Sequence, residues 1–386
     1  MRLRPAGVRS PTISLARARC RVFTLSAARP LAPRLRSTAA FVASPHSSIR
    51  SFATTTDAPT SKPSSSKTPE YYGTVIKNPP TAPAPSGIAP LPHRTVILVA
   101  GDMTTAFLNG LTTNKIPSWN KQEEDGVRGI YTGILNPQGR VLFDAFVYPT
   151  AVKSKDGEYV RGCYLEVDEM VRKQFMILLK RYKLRTKLTL EYARDMGVFA
   201  AWGPGFNDPE RPGRHLPKVG GSVVMRDERI PGFGTRFVAP EMEDVAALPR
   251  VSTAHYHIRR FLKGLPEGSQ EMQLGEALPL ECNMDLMKGI DFQKGCYVGQ
   301  ELTIRTKHTG VVRKRILPIR LYNLDAGSVP TTLELELTKE EQRDLARQVR
   351  EHRRKNRAVG RFLNGTGNVG LALCRLDAMT DVNVPG

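Results

Sequence analysis

One cysteine in the sequence lies in surroundings suited to chemistry. Cys296 belongs to the run Lys-Gly-Cys-Tyr-Val-Gly-Gln-Glu, which spans residues 294–301 and flanks the thiol with Gly295 and Gly299. Glycine permits backbone conformations and close approaches that a side chain forbids. A nearby lysine favours the thiolate, the form of cysteine that attacks electrophiles and binds metals. The run therefore indicates a site, with Cys296 as its functional thiol and Lys294 as the cation beside it.

A structural role for Cys296 is the alternative, because free cysteine is among the most buried residue types and often acts as a small hydrophobe. The two interpretations predict different surroundings. A ligand or nucleophile must lie in a loop with its sulfur open to a cavity or to the surface. A structural cysteine is buried among apolar side chains, which raise its pKa.

The elements that must position this run carry local signals of their own. Arg128–Leu135 and Arg140–Pro149 are strand-like and are separated by Asn-Pro-Gln-Gly at 136–139, which is typical of a type I turn in a hairpin. Thr95–Ala100 is β-branched and apolar, so it predicts a buried strand. Asp168–Arg181 carries apolar residues at helical spacing and predicts a helix that faces the core.

The other cysteines give no metal or redox motif. They lie at positions 20, 163, 282 and 374, and no two cysteines of the chain are spaced as C-x-x-C. The sequence therefore predicts neither a structural zinc site nor a dithiol redox pair. No run of 18 or more apolar residues occurs, so no membrane span is predicted.

The N-terminal segment indicates a compartment. Residues 1–52 contain ten arginines. Neither a lysine nor an acidic residue occurs before Asp57. An arginine-rich, serine-rich and acid-poor leader is typical of a mitochondrial transit peptide, and the sequence accordingly predicts a protein of the mitochondrial matrix. A disordered basic arm that binds nucleic acid is the alternative.

The segment after the leader, residues 53–91, is rich in proline and serine and is expected to be a disordered linker. The chain has 57 basic and 37 acidic residues and a formal net charge of +20, of which the ten leader arginines account for half. The sequence contains neither zinc-finger spacing nor an RNA-recognition signature. Nucleic-acid binding is therefore not predicted.

The octapeptide and its neighbours resemble the YgfZ-type branch of the folate-binding aminomethyltransferase-like superfamily. The similarity covers roughly residues 92–320 and returns more loosely at Val369–Leu376. Besides 294–301, the segments that carry it are Gly101–Asn114, Tyr131–Asp144, Gly264–Gly268, Leu278–Asn283 and Leu302–Arg315.

The resemblance implies an α+β fold. Residues 92–310 would form an aminomethyltransferase-like, two-lobed body around a central cavity, and residues 311–386 a small C-terminal β-barrel. A charged helix is predicted as an insertion in the barrel at 338–357, where Thr338 and Glu341 form a capping box. Such a helix could dock a partner or face RNA, and a solvated loop insertion is the alternative.

The resemblance also implies a function, since the mitochondrial members of this branch are iron–sulfur cluster assembly factors. Cys296 would then be a soft ligand for a transient cluster in the maturation of [4Fe–4S] proteins, and Gln300 and Glu301 would hydrogen-bond the loop or the ligand. One cysteine cannot hold a cluster that usually takes four thiolates. The cluster would therefore be shared with a partner, and the family implies the A-type scaffold proteins.

Tetrahydrofolate is the cofactor that the resemblance implies. Asp144 matches an acidic position of the aminomethyltransferases, and Arg305 and Lys307 would bind the glutamyl tail or an acidic partner. A tetrahydrofolate-dependent one-carbon transferase is the alternative function. However, Phe143 and Leu262 stand where those enzymes carry a second acid and a folate-contacting glutamate, so carboxylates that could handle protons are missing.

Overall fold

The computed structural model describes residues 82–116, 129–153, 157–204, 206, 222–240, 248–322, 333 and 358–380, and the backbone at 21–22, 353–354 and 357. The helices are α1 Thr104–Asn109, α2 Arg172–Lys183, α3 Thr253–Lys263, α4 Gln300–Thr309 and α5 Leu376–Met379. The strands are β1 Arg21–Val22, β2 Gly87–Pro90, β3 Arg94–Ala100, β4 Ile130–Leu135, β5 Val141–Lys153, β6 Tyr159–Asp168, β7 Thr189–Tyr192, β8 Gly197–Trp202, β9 Val223–Arg226, β10 Thr235–Ala239, β11 Lys314–Arg320, β12 Arg353–Arg354, β13 Arg357–Ala358, β14 Gly360–Thr366 and β15 Val369–Arg375.

A five-stranded antiparallel sheet in the order β4-β5-β6-β3-β7 forms the first half of the body. The predicted hairpin is its β4–β5 pair. The amide of Gly139 donates to the carbonyl oxygen of Asn136 at 2.9 Å, which closes the turn, and Gly139 has a φ of +77°. This left-handed conformation favours glycine, so the turn signal in the sequence had a local physical basis.

Helices cover the outer face of this sheet. Phe175, Met176 and Leu179 of α2 are buried and join a core cluster with residues of β3, β5 and β6. Leu108 of α1 packs into the same cluster. The predicted helix therefore exists, and it begins after a 3₁₀ turn at Glu169–Val171, where the side chain of Asp168 accepts a hydrogen bond from the amide of Met170 at 2.9 Å.

A second antiparallel sheet, in the order β2-β8-β10-β9, packs against the inner face of the first. The shared core includes Phe146 and Tyr148 from the first sheet, and Trp202 and Val238 from the second. Tyr256 of α3 also belongs to it. Two facing sheets, with α1 and α2 on the outer face of the first, form the α+β body that the sequence predicted.

The C-terminal part is a further antiparallel sheet in the order β1-β11-β15-β14. Its β1 is two residues of the predicted transit peptide, whose backbone pairs with Ile319 and Arg320. Most of the predicted helix at 338–357 lies outside the described residues. Within it, the backbone of β12 pairs with β13, so residues 353–354 and 357 belong to a short antiparallel ladder.

An ion network fills the centre of the body, between the two sheets. Glu166 accepts from Arg94 Nε at 2.7 Å, from Arg236 Nε at 2.9 Å and from the hydroxyl of Tyr148 at 2.6 Å. Arg229 donates to Glu267 at 2.8 Å. The members of this central ion network are all buried and comprise Arg94, Asp144, Glu166, Asp227, Arg229, Arg236 and Glu267.

The charges of the network are compensated by each other. Burial opposes ionisation of Glu166, but Arg236 and Arg94 outweigh it and lower its pKa below the ordinary value. Burial likewise opposes ionisation of Glu267, and Arg236 and Arg229 hold its pKa well below the usual range. Buried charges are retained in proteins only with such pairing.

Acid should destabilise the body through His257, which lies beside this network. Arg260 donates to Nδ1 of His257 at 3.0 Å, so the ring is neutral in the folded protein. Burial, with help from His93 and Arg260, holds the pKa of His257 well below 6.5. Because an unfolded histidine binds its proton near pH 6.5 and this one does not, stability should fall as the pH falls below about 6.5.

Melting temperatures measured between pH 5 and 8 would check the predicted loss of stability in acid. The variant His257→Gln should lose less stability over the same interval, because it removes one of the titrating groups. Equal slopes for the two proteins would contradict the assignment.

Among the described residues, no helix is both long and apolar enough to span a membrane.

Candidate functional site

Cys296 lies in the loop that precedes α4, and its side chain is exposed. The other described cysteines, Cys163, Cys282 and Cys374, are buried, and burial raises the pKa of Cys163 and Cys282 well above the usual range. The chain thus has one thiol, among the described residues, that solvent and a partner can reach. Cys296 therefore has the loop position and the accessible sulfur that a ligand or nucleophile requires.

Lys294 holds the loop by hydrogen bonds rather than by lying free beside the thiol. Its Nζ donates to the carbonyl oxygens of Asn109 at 2.8 Å, Thr112 at 2.6 Å and Asn114 at 3.2 Å. An ammonium group has three hydrogens, so these acceptors use all of its donors. Burial lowers the pKa of Lys294 to about 8, against the opposing effect of Asp291. The lysine therefore ties the cysteine loop to the segment after α1.

Two glycines dock the other side of the loop on the β4–β5 turn. Gly299 has a φ of +79°, and a Cβ built on it would lie 2.2 Å from the carbonyl oxygen of Asn136. A Cβ on Gly139 would lie 2.8 Å from Cβ of Leu302. Neither contact is compatible with a side chain, so both glycines are required for this close approach.

Replacing Gly299 with alanine should therefore displace the loop and lower stability. The added Cβ meets backbone atoms and the left-handed φ strains any L residue, so we expect a loss of about 2 kcal/mol or more in the free energy of unfolding. Denaturant unfolding would measure it. Gly295→Ala is the matched control, since a Cβ there has no neighbour within 4 Å. Equal stability of the two variants would contradict the docking.

Gln300 and Glu301, the two residues after Gly299, have different surroundings. Oε1 of Gln300 accepts from the amide of Tyr297 at 3.3 Å, so Gln300 stabilises the turn between the thiol and α4. Glu301 is exposed in the first turn of α4, where a carboxylate interacts favourably with the helix dipole. The structure thus brings Lys294, Gln300 and Cys296 into one braced loop.

The two cations predicted downstream, Arg305 and Lys307, lie exposed on α4 together with His308. Lys307 Nζ lies 5.0 Å from the ring centroid of Phe292, and Lys307 lines a cavity. Arg305 and His308 are exposed and are not among the lining residues of that cavity. Of the predicted cationic ligands, the structure brings Lys307 alone to a concave surface.

This cavity has a volume of about 590 Å³ and lies between β4, β9 and the segment at 285–293. Its apolar walls include Met225, Met287, Ile290 and Phe292, and its polar residues include Arg226, Lys288, Asp291 and Lys307. The hydroxyl oxygen of Tyr131, another lining residue, is buried without a hydrogen-bond partner. A buried hydroxyl with no partner is costly unless a ligand or water satisfies it.

Asp144 belongs to the central ion network and does not line this cavity. Arg94 donates to both of its carboxylate oxygens at 3.3 Å, and the amide of Gly268 donates at 3.2 Å. Burial nevertheless raises its pKa above the ordinary value, against the effect of Arg94. Its neighbour Phe143 is buried on the opposite face of β5 and packs edge-on against Phe175, with 5.0 Å between the two ring centroids.

Apart from Lys307, the residues that line the cavity were not predicted from the sequence. Tyr131 and Met225 come from strands, while Lys288, Ile290 and Phe292 follow one another closely just before the cysteine run. Only their proximity in sequence to Cys296 could have drawn attention to the last three. Among the described residues, no cluster of three or more His, Cys, Asp or Glu side chains is arranged to hold a metal ion.

Comparison with known proteins gives closely similar sequences. The chain is 42% identical over 338 residues to the mitochondrial iron–sulfur cluster assembly factor IBA57 homolog of Aspergillus oryzae, covering 80% of this chain and 74% of the relative. It is also 42% identical over 311 residues to the protein of the same name from Pyricularia oryzae. That match covers 78% of this chain and 75% of the relative. Residues 313–384 match the family described as CAF17, C-terminal beta-barrel domain.

Among solved structures, the chain is similar to the glycine cleavage system aminomethyltransferase T of Bartonella henselae. The TM-score is 0.51 at 13% sequence identity, and the match covers 77% of this chain and 80% of that chain. At this identity the similarity concerns the fold. The aminomethyltransferase-like body and the C-terminal β-barrel predicted from the sequence are thereby confirmed.

Proposed function

The chain belongs to the family of mitochondrial iron–sulfur cluster assembly factors named IBA57 homologs, and from this membership we propose that it assists the maturation of [4Fe–4S] proteins in the mitochondrial matrix. The observation that carries the proposal is the exposed thiol of Cys296 on a loop braced by Lys294 and Gly299. The arginine-rich leader supports the compartment.

Cys296 acts in this proposal as one ligand of a cluster that passes through the protein as cargo. Thiolate is the soft ligand that iron–sulfur clusters take. An iron–sulfur cluster usually takes four thiolate ligands, and Cys296 supplies one of them. Among the described residues, no group of three or more His, Cys, Asp or Glu side chains is arranged to hold a metal ion. The remaining ligands must therefore come from a second protein.

The partner is accordingly a protein that brings its own cysteines to the surface around Cys296. A-type scaffold proteins have this chemistry, and we propose them as the partner. The exposed side chains Glu301, Arg305 and His308 of α4 lie next to the thiol in sequence and offer both signs of charge at such an interface. The position of Cys296 in a loop ahead of α4 leaves its sulfur accessible to a second chain.

Depletion of the protein in cells tests the proposed function. Aconitase activity and protein lipoylation, which depend on [4Fe–4S] enzymes, should fall while [2Fe–2S] proteins keep their activity. Re-expression of the wild-type chain should restore both. Unchanged aconitase activity after depletion would contradict the proposal.

We also propose that the cavity beside the loop binds a tetrahydrofolate. The residues present fit such a ligand: aromatic and sulfur-containing walls suit a flat heterocycle, the Tyr131 hydroxyl lacks a partner, and Lys307 suits a carboxylate of a glutamyl tail, whereas Lys288 is paired with Glu228. A bound tetrahydrofolate would supply a carrier for one-carbon units. The chain's own residues would hold and orient it, with Lys307 linking the cavity to α4.

Anaerobic titration with tetrahydrofolate tests the cavity independently of cluster assembly. Lys307→Met should weaken binding by about tenfold or more, since a charge-assisted contact contributes about 1.5–3 kcal/mol. Tyr131→Phe should also weaken it, because the ring remains and only the hydroxyl is lost. Arg305→Met, two residues away and outside the cavity, is the matched control. Equal affinity of all four proteins would contradict this site.

A further inference from the structure

A second surface of the protein, remote in sequence from Cys296, is suited to binding. It consists of the outward face of α2 and the loop that follows it, and we call it the α2 surface. Its members are exposed and comprise Lys173, Ile177, Lys180, Arg181, Leu184, Arg185 and Lys187. At 100° per residue, the helical members lie on the side opposite the core residues Phe175, Met176 and Leu179.

The charge of this surface has one sign. Residues 172–187 contain seven lysines and arginines and no aspartate or glutamate. Arg172 is paired with Glu169. Among the described residues, none of the other six cations forms an ion pair, so their charge is available to a ligand. A segment of this kind attracts polyanions.

Two aliphatic side chains protrude from among these cations. Ile177 is 66% exposed and Leu184 is 85% exposed. Leu184 also has a φ of +46°, a left-handed conformation that is unfavourable for a branched side chain. Both the strained backbone and the exposure of the leucine side chain to water lower the stability of the fold. Backbone outliers of this kind concentrate at functional sites.

We propose that the α2 surface binds the surface of a membrane that contains anionic lipids. Lipid phosphates satisfy the cations, and each lysine or arginine near such a surface contributes about 1 kcal/mol. Ile177 and Leu184 then enter the acyl boundary, which removes apolar area from water. The apolar core side of α2 stays in the protein, so the contact is peripheral.

The protruding side chains favour a membrane over other polyanions. A nucleic-acid backbone would satisfy the cations but offers no apolar phase for Leu184 and Ile177. A protein partner would need a pocket matched to each isolated side chain, whereas the acyl boundary of a bilayer deforms around them. The combination of cations with exposed aliphatic side chains on the α2 surface therefore fits lipid best.

Sedimentation of the full chain with vesicles tests the proposal. One set of vesicles contains phosphatidylcholine only, and the other contains one-third phosphatidylglycerol. We expect binding to the anionic set. The double variant Ile177→Ser/Leu184→Ser should weaken it about tenfold. Lys180→Gln/Arg181→Gln should weaken it about 25-fold, at roughly fivefold for each cation.

Matched controls lie elsewhere on the protein. Leu286→Ser removes another exposed leucine, which is 63% exposed, and Lys263→Gln removes an exposed lysine of α3. Both should bind vesicles like the wild type. Equal binding by all variants would assign the adsorption to another part of the chain and overturn the proposal. Binding that depends on the two cations but not on Ile177 and Leu184, and that a short single-stranded RNA reproduces, would overturn the assignment to lipid.

Discussion

Replacing Cys296 with serine should abolish the maturation of [4Fe–4S] enzymes while the protein remains folded. Serine has nearly the size of cysteine but lacks the soft thiolate that iron binds. Because the side chain is exposed, the free energy of unfolding should change by no more than about 0.5 kcal/mol. Aconitase activity in depleted cells that express the variant would measure the loss, and denaturant unfolding of the purified variant would measure stability.

Gly295→Ala is the matched control for this experiment, because it alters the residue next to the thiol without a steric clash. It should restore aconitase activity as the wild type does. Full restoration by Cys296→Ser would remove the thiol from the mechanism, and the loop would then have to act through its shape.

Replacing Glu166 with glutamine should cause the largest loss of stability. The carboxylate is fully buried and neutralises Arg94 and Arg236. Removing one partner of a buried ion pair leaves the other charge uncompensated, which costs about 3–5 kcal/mol. Since folded proteins are stable by only about 5–15 kcal/mol, the variant should melt at a much lower temperature.

Glu191→Gln provides the comparison, because this carboxylate lies in β7 of the same sheet but is exposed. Calorimetry should show little change for Glu191→Gln and a large decrease in melting temperature for Glu166→Gln. Similar melting temperatures would show that the central ion network contributes little to stability.

Local signals in the sequence were sufficient for the elements that position the site. The turn at 136–139 depends on Pro137 and Gly139, its second and fourth residues, and α2 depends on the spacing of its own apolar residues. Both are governed by interactions within a few residues. The sequence therefore predicted the hairpin on which the cysteine loop is docked.

Long-range contacts could not be predicted in this way. Lys294 was interpreted as a cation beside the thiol, but its acceptors are carbonyl oxygens about 180 residues earlier in the chain. Arg94 and Arg236 were not identified as core residues, because arginine is almost never fully buried unless it is paired. Their partner Glu166 is 70 or more residues away from each. Only the packing of the two sheets brings these charges together.

The central claim is that the sulfur of Cys296 is a ligand of a cluster shared with a cysteine-bearing partner. Alkylation of Cys296, followed by peptide-resolved mass spectrometry, tests it most directly in the anaerobic complex with an A-type scaffold protein. Cys296 should react in the chain alone and in the complex with the cluster-free partner, because the thiol is exposed. It should be protected once the complex carries its cluster. Equal reaction of Cys296 in the loaded and cluster-free complexes would contradict the claim.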